Sequence, residues 1–307
     1  MKWIGLLGIL CLSSASWAQA APPVQGALQP TAHDRQFWRG IAKNRYAVPE
    51  GQPIFPLLRE LSGYLGSPDP ELRDDLAYSI TAVWIKRQKQ LTADDLNSLL
   101  DEWQANLRVG IGESGKDSVL KRSFSALCLA ALAERELKVP FLTEDRYRAL
   151  LDNALAYLKD ERDLRGFDPT LGWIHATAHT ADLLAALASH SLFHSDDQGR
   201  VLDAVSARLS SAHEIFMYGE QDRLALVAAT IAQRKDVVAK KFHDWLIALD
   251  ENDQRVWKDS PPKIELLQTF ENDSYMLRGL AVYLGGNATL SGASNIQNDV
   301  LQLLQKR

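Results

Sequence analysis

Apolar residues recur along most of this chain at spacings of three and four positions, which is the periodicity of an amphipathic α-helix. Short polar turns containing Pro, Gly, Asp or Thr separate these segments. No segment gives a convincing strand pattern, so the chain is predicted to be all-α. The predicted helices cover residues 34–44, 53–65, 67–87, 91–107, 119–136, 142–161, 172–189, 198–213, 221–233, 236–250, 264–284 and 296–305.

Helices of similar length joined by short turns favour an array of antiparallel helix pairs, because each pair must bury its apolar face on its neighbours. We expect a HEAT-like α-solenoid or α/α superhelix, with a closed α/α ring as the alternative. The sequence has no strict period, which is typical of a degenerate repeat. Residues 34–307 are predicted to form one repeat-like domain, with surface insertions near 110–117 and 251–263.

The first twenty residues have the pattern of a secretory signal peptide. Lys2 precedes an apolar run from Trp3 to Leu12, and the segment ends Ala18-Gln19-Ala20, an A-x-A cleavage site. We expect cleavage near Ala20, a periplasmic or secreted location and no membrane span in the mature chain. The Pro-rich residues 21–33 that follow are expected to form a flexible tail.

Composition narrows the classes of partner. The chain holds 39 acidic and 34 basic residues, and its formal charge of −5 argues against a nucleic-acid partner. Of its two cysteines, Cys11 lies in the leader, so Cys128 alone remains and stability must come from the core. A protein, a peptide or an envelope component is the expected partner, and the sequence indicates no oligomeric state.

The segment Gly172–Ser189 has only three ionisable residues, which are His175, His179 and Asp182. At about 100° per residue, offsets of four and seven place all three on one stripe of a helix. The rest of the segment is small, apolar or hydroxylated, with no Lys, Glu or Arg. This pattern predicts a central buried helix that carries one polar seam.

Three interpretations of this seam stay open. His175, His179 and Asp182 could ligate a divalent metal such as zinc, manganese or iron, with a further ligand from His213, Glu214, Glu220 or Asp222. The H-E-x-x-H motif of metalloproteases is absent, because Ala176 stands where its general base would be. The seam could instead be a structural hydrogen-bond network, or it could line a pocket for an unidentified ligand.

The loop Arg162–Trp173 is predicted to form the wall of any such pocket. Gly166 and Gly172 permit tight backbone turns, and the aromatic residues Phe167 and Trp173 are uncommon in a solvated linker. We expect Asp163 or Arg165 to contact the seam or Glu220. The candidate pocket therefore comprises Asp163, Arg165, Trp173, His175, His179, Asp182, Glu220, Asp222 and Arg223.

Several motifs together resemble a known family. RDLRG followed by GWIHATAHTADLLAAL, with ELRDDLAY and RSFSALCLA upstream and GEQDRLAL downstream, is similar to the bacterial family catalogued as domain of unknown function 2785. The resemblance spans roughly residues 70 to 285. It implies a helical fold and a shared polar core, and it implies no activity.

Two functions are therefore expected. The first is a periplasmic helical binding or scaffolding protein that offers a concave surface to its partner, since catalytic serine and phosphate-loop motifs are absent. The alternative is a metal-dependent hydrolase or a glycan-acting helical-ring enzyme that uses the same residues.

Overall fold

The structure is a computed structural model that describes residues 33–286 and 291–307. The predicted leader, 1–20, lies outside the described residues, as does the predicted tail except for His33. The helices are α1 (Arg35–Lys43), α2 (Ile54–Tyr64), α3 (Ser79–Arg87), α4 (Ala93–Asn106), α5 (Ser118–Glu136), α6 (Glu144–Asp160), α7 (Ala176–Ala188), α8 (Ser195–Ser210), α9 (Glu220–Ala232), α10 (Ala239–Gln254), α11 (Ile264–Gly285) and α12 (Ser291–Gln305). A π-helical segment, Glu71–Tyr78, runs directly into α3, and a 3-10 turn, Val256–Lys258, follows α10. The all-α fold class is confirmed.

Local capping explains several helix starts that the sequence predicts. The Thr92 side chain accepts a hydrogen bond from the Asp95 N–H at 3.1 Å, and the Thr92 N–H donates to the Asp95 carboxylate at 3.0 Å. This reciprocal pair is a capping box, which satisfies two backbone donors at the start of α4. Thr143 caps α6 through the Arg146 N–H in the same way. These two caps fix the starts of α4 and α6.

Alternate helices form the central row of the structure. Helices α5, α7, α9 and α11 contact one another in chain order, and α3 packs against α5. Helices α6, α8 and α10 form a second row, in which they contact one another in turn, and this row packs on the central helices. Small side chains let the central helices approach closely. These small residues are Ala126, Ala130, Ala131, Ala181, Ala185, Ala225, Ala228 and Ala229, all of which are buried.

Two arginines, Arg135, which is buried, and Arg234, which is half-buried, connect the C-terminal ends of the central helices. Arg135, at the end of α5, donates to the carbonyls of Ile85 and Gln88 at the end of α3. Arg234, just after α9, donates to the Ala188 carbonyl at the end of α7. The last carbonyls of a helix lack partners within it, so these side chains satisfy them. The central helices therefore run parallel, with their C-termini at one end.

The N-termini of the central helices meet at the opposite end, which we call the loop face. It is formed by the connections 107–117, 161–175 and 211–219, which are longer than the connections at the C-terminal end. The loops contact one another directly, since the Gly115 N–H donates to Asp163 at 2.9 Å. None of the helices in the described ranges is long and apolar enough to cross a membrane.

The loop face holds a short β-hairpin, so the prediction of a strand-free chain is wrong at this point. Strand β1 (Phe167–Asp168) pairs antiparallel with β2 (Gly172–Trp173). Asp168 closes the turn by accepting hydrogen bonds from the backbone N–H groups of Thr170 and Leu171, at 2.8 and 2.9 Å. Asp and Pro in this turn favour such a local closure, which the helical periodicity of the flanking segments hides.

Candidate functional site

The central helix begins later than its apolar pattern predicts. Helix α7 starts at Ala176, and His175 adopts a left-handed conformation with φ 48° and ψ 33°. Gly172 is also left-handed, with φ +73°. A left-handed conformation is unfavourable for histidine and is held only by its surroundings. The prediction that His175 lies on the helix is therefore wrong, and its ring sits at the entrance to α7.

His175 faces Glu220, the first residue of α9. Its Nε2 lies 3.8 Å from Glu220 Oε1, and this buried nitrogen has no hydrogen-bond partner in the described structure. Burial, together with the nearby positive charge of Arg223, lowers the pKa of His175 to about 4, although a hydrogen bond with the Tyr218 backbone opposes the shift. The imidazole is therefore neutral at pH 7. The contact is too long for a hydrogen bond and is not an ion pair.

Glu220 is held by backbone geometry at the loop face. Its Oε2 accepts a hydrogen bond from the Tyr218 N–H at 2.9 Å. A Cβ built on Gly166 would collide with Glu220 Oε1 and lie 2.8 Å from Tyr218 Cβ, so the loop approaches this closely only because residue 166 is glycine. Burial raises the pKa of Glu220, although hydrogen bonds from its own and the Tyr218 backbone oppose the shift.

His179 belongs to the core. The Ser123 hydroxyl donates to the Ile174 carbonyl, and His179 Nδ1 lies 2.8 Å from the Ser123 oxygen. Since the single hydroxyl proton is already used, His179 Nδ1–H is the donor of this second bond. The Phe124 ring packs edge-on against the imidazole at 5.0 Å. Burial lowers the pKa of His179 well below its usual value, so the ring is neutral.

Replacing His179 by alanine is expected to lower the free energy of unfolding by about 1–3 kcal/mol, because the substitution breaks a buried hydrogen bond and leaves Ser123 with one partner fewer. Urea unfolding measures the change. His243→Ala is the matched control, since His243 is largely exposed and should change stability by less than about 0.5 kcal/mol. Equal losses in the two variants would contradict a structural role for His179.

Asp182, further along α7, points into a cleft. Arg223 Nη1 donates to both of its carboxylate oxygens, at 2.6 and 2.7 Å. Burial raises the pKa of Asp182, and Arg223 opposes that shift. The cleft has a volume of about 390 Å³ and lies between α5, α7 and α9. Its lining includes Tyr78, Glu134, Asp182 and Arg223 among small side chains such as Ala130 and Ala185.

The three seam residues do not converge on a metal. His179 is bonded to Ser123, Asp182 to Arg223, and His175 lies beside Glu220. Within residues 33–286 and 291–307, no group of three His, Cys, Asp or Glu side chains is placed to hold a metal ion. The ligand set that the helical spacing suggested does not fit a metal, because each member is turned toward a different neighbour.

Asp163 and Arg165 pair with each other rather than with the seam. Arg165 donates to the buried Asp163 carboxylate through Nε and Nη2, at 2.9 and 2.7 Å. Arg165 Nη2 also reaches the Lys116 carbonyl at 3.3 Å. In the described part of the chain neither residue hydrogen-bonds to His175, His179, Asp182 or Glu220, so the expected contact is not made by a hydrogen bond. The pair locks the loop 161–175 onto the loop 107–117.

The remaining candidate ligands also lie apart. Asp222 lines a separate groove between α9 and α11, and it approaches Gly279 closely. His213 and Glu214 are exposed in the connection 211–219. Glu214 does share a small cavity of about 200 Å³ with Arg165 and Glu220. The predicted pocket residues are therefore divided among several separate surfaces rather than gathered in one cavity.

Three exposed aromatic side chains lie together beside His175, and we call them the aromatic rim: Phe167, Trp173 and Tyr218. They are 39%, 44% and 47% exposed. The rings of Phe167 and Trp173 meet edge to face at 5.0 Å, and Trp173 and Tyr218 stand nearly perpendicular at 6.3 Å. Trp173 also lies against His175, with 4.4 Å between ring centroids.

Sequence reasoning missed three residues that shape this site. Tyr218 precedes the predicted helix start and looks like an ordinary loop residue. The sequence around Ser123 contains no catalytic serine motif, and nothing in it indicates that this residue is the partner of His179. Arg73 is buried in the π-helical segment and donates to the carbonyls of Leu171 and Trp173, which fixes the hairpin. Its position within the mixed-charge run ELRDD gave no signal of burial.

Comparison with known proteins gives one match. No curated protein and no solved structure matches the chain. A family model described as "Protein of unknown function (DUF2785)" matches residues 107–282. This range contains α5, α7 and α9 with the aromatic rim and the cleft lining except Tyr78, and it excludes the ELRDDLAY motif. The chain belongs to the DUF2785 family.

Proposed function

We propose that this chain is an exported binding protein that receives its ligand at the aromatic rim and in the adjoining cleft. The observation that carries the proposal is the rim itself. Trp38, Trp84 and Trp103 are fully buried, whereas the three rings of the rim are each more than a third exposed and lie together. Clustered exposed aromatic residues beside a concave surface mark binding sites, because they offer apolar area at low entropic cost.

The succession of helices supports an open α/α superhelix, the finer form of the predicted fold. Contacts run from α3 to α11 through alternate helices, as expected when helix pairs stack. In the described ranges, no extensive contact joins α1 or α2 to α11 or α12, which argues against a closed ring. The cleft and the rim would then lie on the concave side, and the signal-peptide pattern of residues 1–20 supports a periplasmic or secreted location.

The geometry supports binding more than hydrolysis. Ser123 is fully buried and its hydroxyl is bonded to a carbonyl, so it is not placed to act as a nucleophile. His175 and His179 are both neutral and enclosed.

A glycan-acting enzyme is the second candidate. It is favoured by the raised pKa of Glu220, because a carboxyl group that acts as a general acid must hold its proton near neutral pH. This candidate predicts that the protein releases reducing ends from envelope polysaccharide. It also predicts that Glu220→Gln abolishes this release while ligand binding persists.

The test uses envelope extract separated into protein, polysaccharide and lipid fractions. We expect one fraction to raise the Tm of the protein by several degrees, because a ligand at about 100 times its Kd adds about 2.7 kcal/mol to stability. Trp173→Ala should abolish the shift. Trp257→Ala is the matched control, since Trp257 is 61% exposed and lies outside the rim, and it should respond like the wild type. A shift that survives in Trp173→Ala, or no shift with any fraction, would contradict the proposal.

A further inference from the structure

The charges in the cleft between α5, α7 and α9 are compensated within the protein. Asp182 is paired with Arg223, and Glu134 is paired with Lys86 at 2.6 Å. Among the described residues, no other Asp, Glu, Lys or Arg lines this cleft. A charged ligand would compete with one of these partly exposed pairs or remain unpaired itself, whereas an uncharged ligand leaves them intact. The cleft is therefore matched to a ligand without net charge.

The cleft also keeps hydrogen-bonding groups that the protein does not use. Arg223 makes both of its bonds to Asp182 through Nη1, and its Nη2 and Nε have no protein acceptor in the described structure. The Tyr78 hydroxyl lines the same cleft and has no protein partner among the described residues. An uncharged ligand that met these donors would need several oxygen acceptors. A purely apolar ligand would leave them unsatisfied.

The aromatic rim lies at the N-terminal ends of α7 and α9, and the cleft begins further along the same two helices, at Asp182 and Arg223. Asp182 is six residues after Ala176, the first residue of α7, which corresponds to about 9 Å along the helix. On α9, Arg223 follows Glu220 by one helical turn. The rings of Trp173 and Tyr218 stand nearly perpendicular, at 81°, and form a corner of apolar surface. A ligand that spans both parts must combine apolar faces with hydroxyl edges and be elongated.

We infer that the ligand is a neutral oligosaccharide, with one sugar ring against Trp173 and Tyr218 and the following rings hydrogen-bonded to Arg223 and Tyr78. Sugar rings present C–H groups on their faces and hydroxyl groups on their edges, which is the combination that the rim and the cleft require. A neutral apolar peptide satisfies the rim but leaves the guanidinium donors without acceptors. This inference rests on the proposed binding function and specifies its ligand class.

The probes are chitotetraose, cellotetraose and maltotetraose, with a neutral apolar peptide as a parallel arm. Calorimetric titration of the full mature chain should detect binding of at least one oligosaccharide. Trp173→Ala should weaken that binding by about tenfold or more. Tyr78→Phe should weaken it by a smaller factor without lowering the Tm, since only a hydroxyl is lost, and Trp257→Ala should leave the Kd unchanged.

The outcomes separate this inference from the proposed function. If the peptide binds through Trp173 and no oligosaccharide binds, the glycan assignment is overturned while the binding function stands. If no probe binds but an envelope fraction still gives a Trp173-dependent thermal shift, the glycan assignment is again overturned. If oligosaccharides bind equally well to Trp173→Ala, sugar binding occurs at another surface and the proposed site is wrong.

Discussion

Replacing Glu161 by glutamine is expected to destabilise the protein by about 3–5 kcal/mol, one of the two largest effects that we predict. Glu161 accepts hydrogen bonds from Arg122 Nε and Nη2 at 2.6 and 2.9 Å. Both side chains are almost fully buried, with 2% and 0% exposure. A neutral amide would leave the buried Arg122 guanidinium without a counter-charge, and the desolvation cost of that charge is large.

Free energies of unfolding from urea titration test this prediction. Asp160→Asn is the matched control, because Asp160 is the neighbouring residue and forms an exposed ion pair with Arg108. It should cost less than about 1 kcal/mol. Changing Arg122 and Glu161 together to methionine should recover part of the loss, since the buried Arg122 charge is then removed as well. A loss in Glu161→Gln no larger than that in Asp160→Asn would show that the pair is not needed.

This ion pair matters for the site because of what it connects. Arg122 Nη1 donates to the carbonyls of Val109 and Gly110 in the loop 107–117. The Glu161 carboxylate accepts from the Asp163 N–H, at the start of the loop that carries Phe167 and Trp173. The pair therefore anchors two connections of the loop face to the start of α5. We expect variants at this pair to disturb the rim as well as stability.

The second large effect, a fall in stability as the pH rises, is expected from Asp273 on α11. Its side chain is 2% exposed, its Oδ1 has no hydrogen-bond partner in the described structure, and burial raises its pKa to about 8. The folded state therefore holds a proton on Asp273 up to about pH 8, whereas the unfolded chain releases it near pH 4. The contribution of this group to stability is then full below pH 4 and falls by about 1.4 kcal/mol per pH unit between pH 4 and 8.

Asp273→Asn removes the ionisable group and keeps its shape. The variant should match the wild type near pH 4 and exceed it by several kcal/mol at pH 8. Unfolding at a series of pH values measures the difference. Asp244→Asn serves as the control, because Asp244 is exposed and paired with Lys240 at the surface, so its difference from the wild type should stay nearly constant. A flat difference for Asp273→Asn would mean that the carboxyl group is solvated or paired in solution.

The helices could be predicted because their signals are local. The caps at Thr92 and Thr143 depend on residues three positions away, and the apolar spacing of each helix is set by its own residues. The start of α7 could not be found in this way. Arg73, about a hundred residues earlier, holds the hairpin carbonyls and Gly172 packs near Pro70, so the left-handed turn at His175 is imposed by tertiary contacts.

In the candidate site, too, some features could be predicted from the sequence and others could not. The sequence shows His175, His179 and Asp182 as polar residues in an apolar segment. All three lie on α7 or immediately before it. Their partners could not be found by helical spacing, because Ser123, Glu220 and Arg223 come from other helices. Once His175 leaves the helix, the common stripe no longer exists, and the metal geometry that depended on it is lost.

The most direct test of the account follows the tryptophan indole N–H signals in a ¹H–¹⁵N spectrum while the ligand-bearing envelope fraction is added. Binding at the rim predicts that the Trp173 signal shifts and that the signal of Trp257, which is more exposed, does not. The signals of the buried Trp38, Trp84 and Trp103 should also stay in place. Assignment by single Trp→Phe variants identifies each signal. An unchanged Trp173 signal, with a thermal shift still produced by the same fraction, would contradict the claim that the rim receives the ligand.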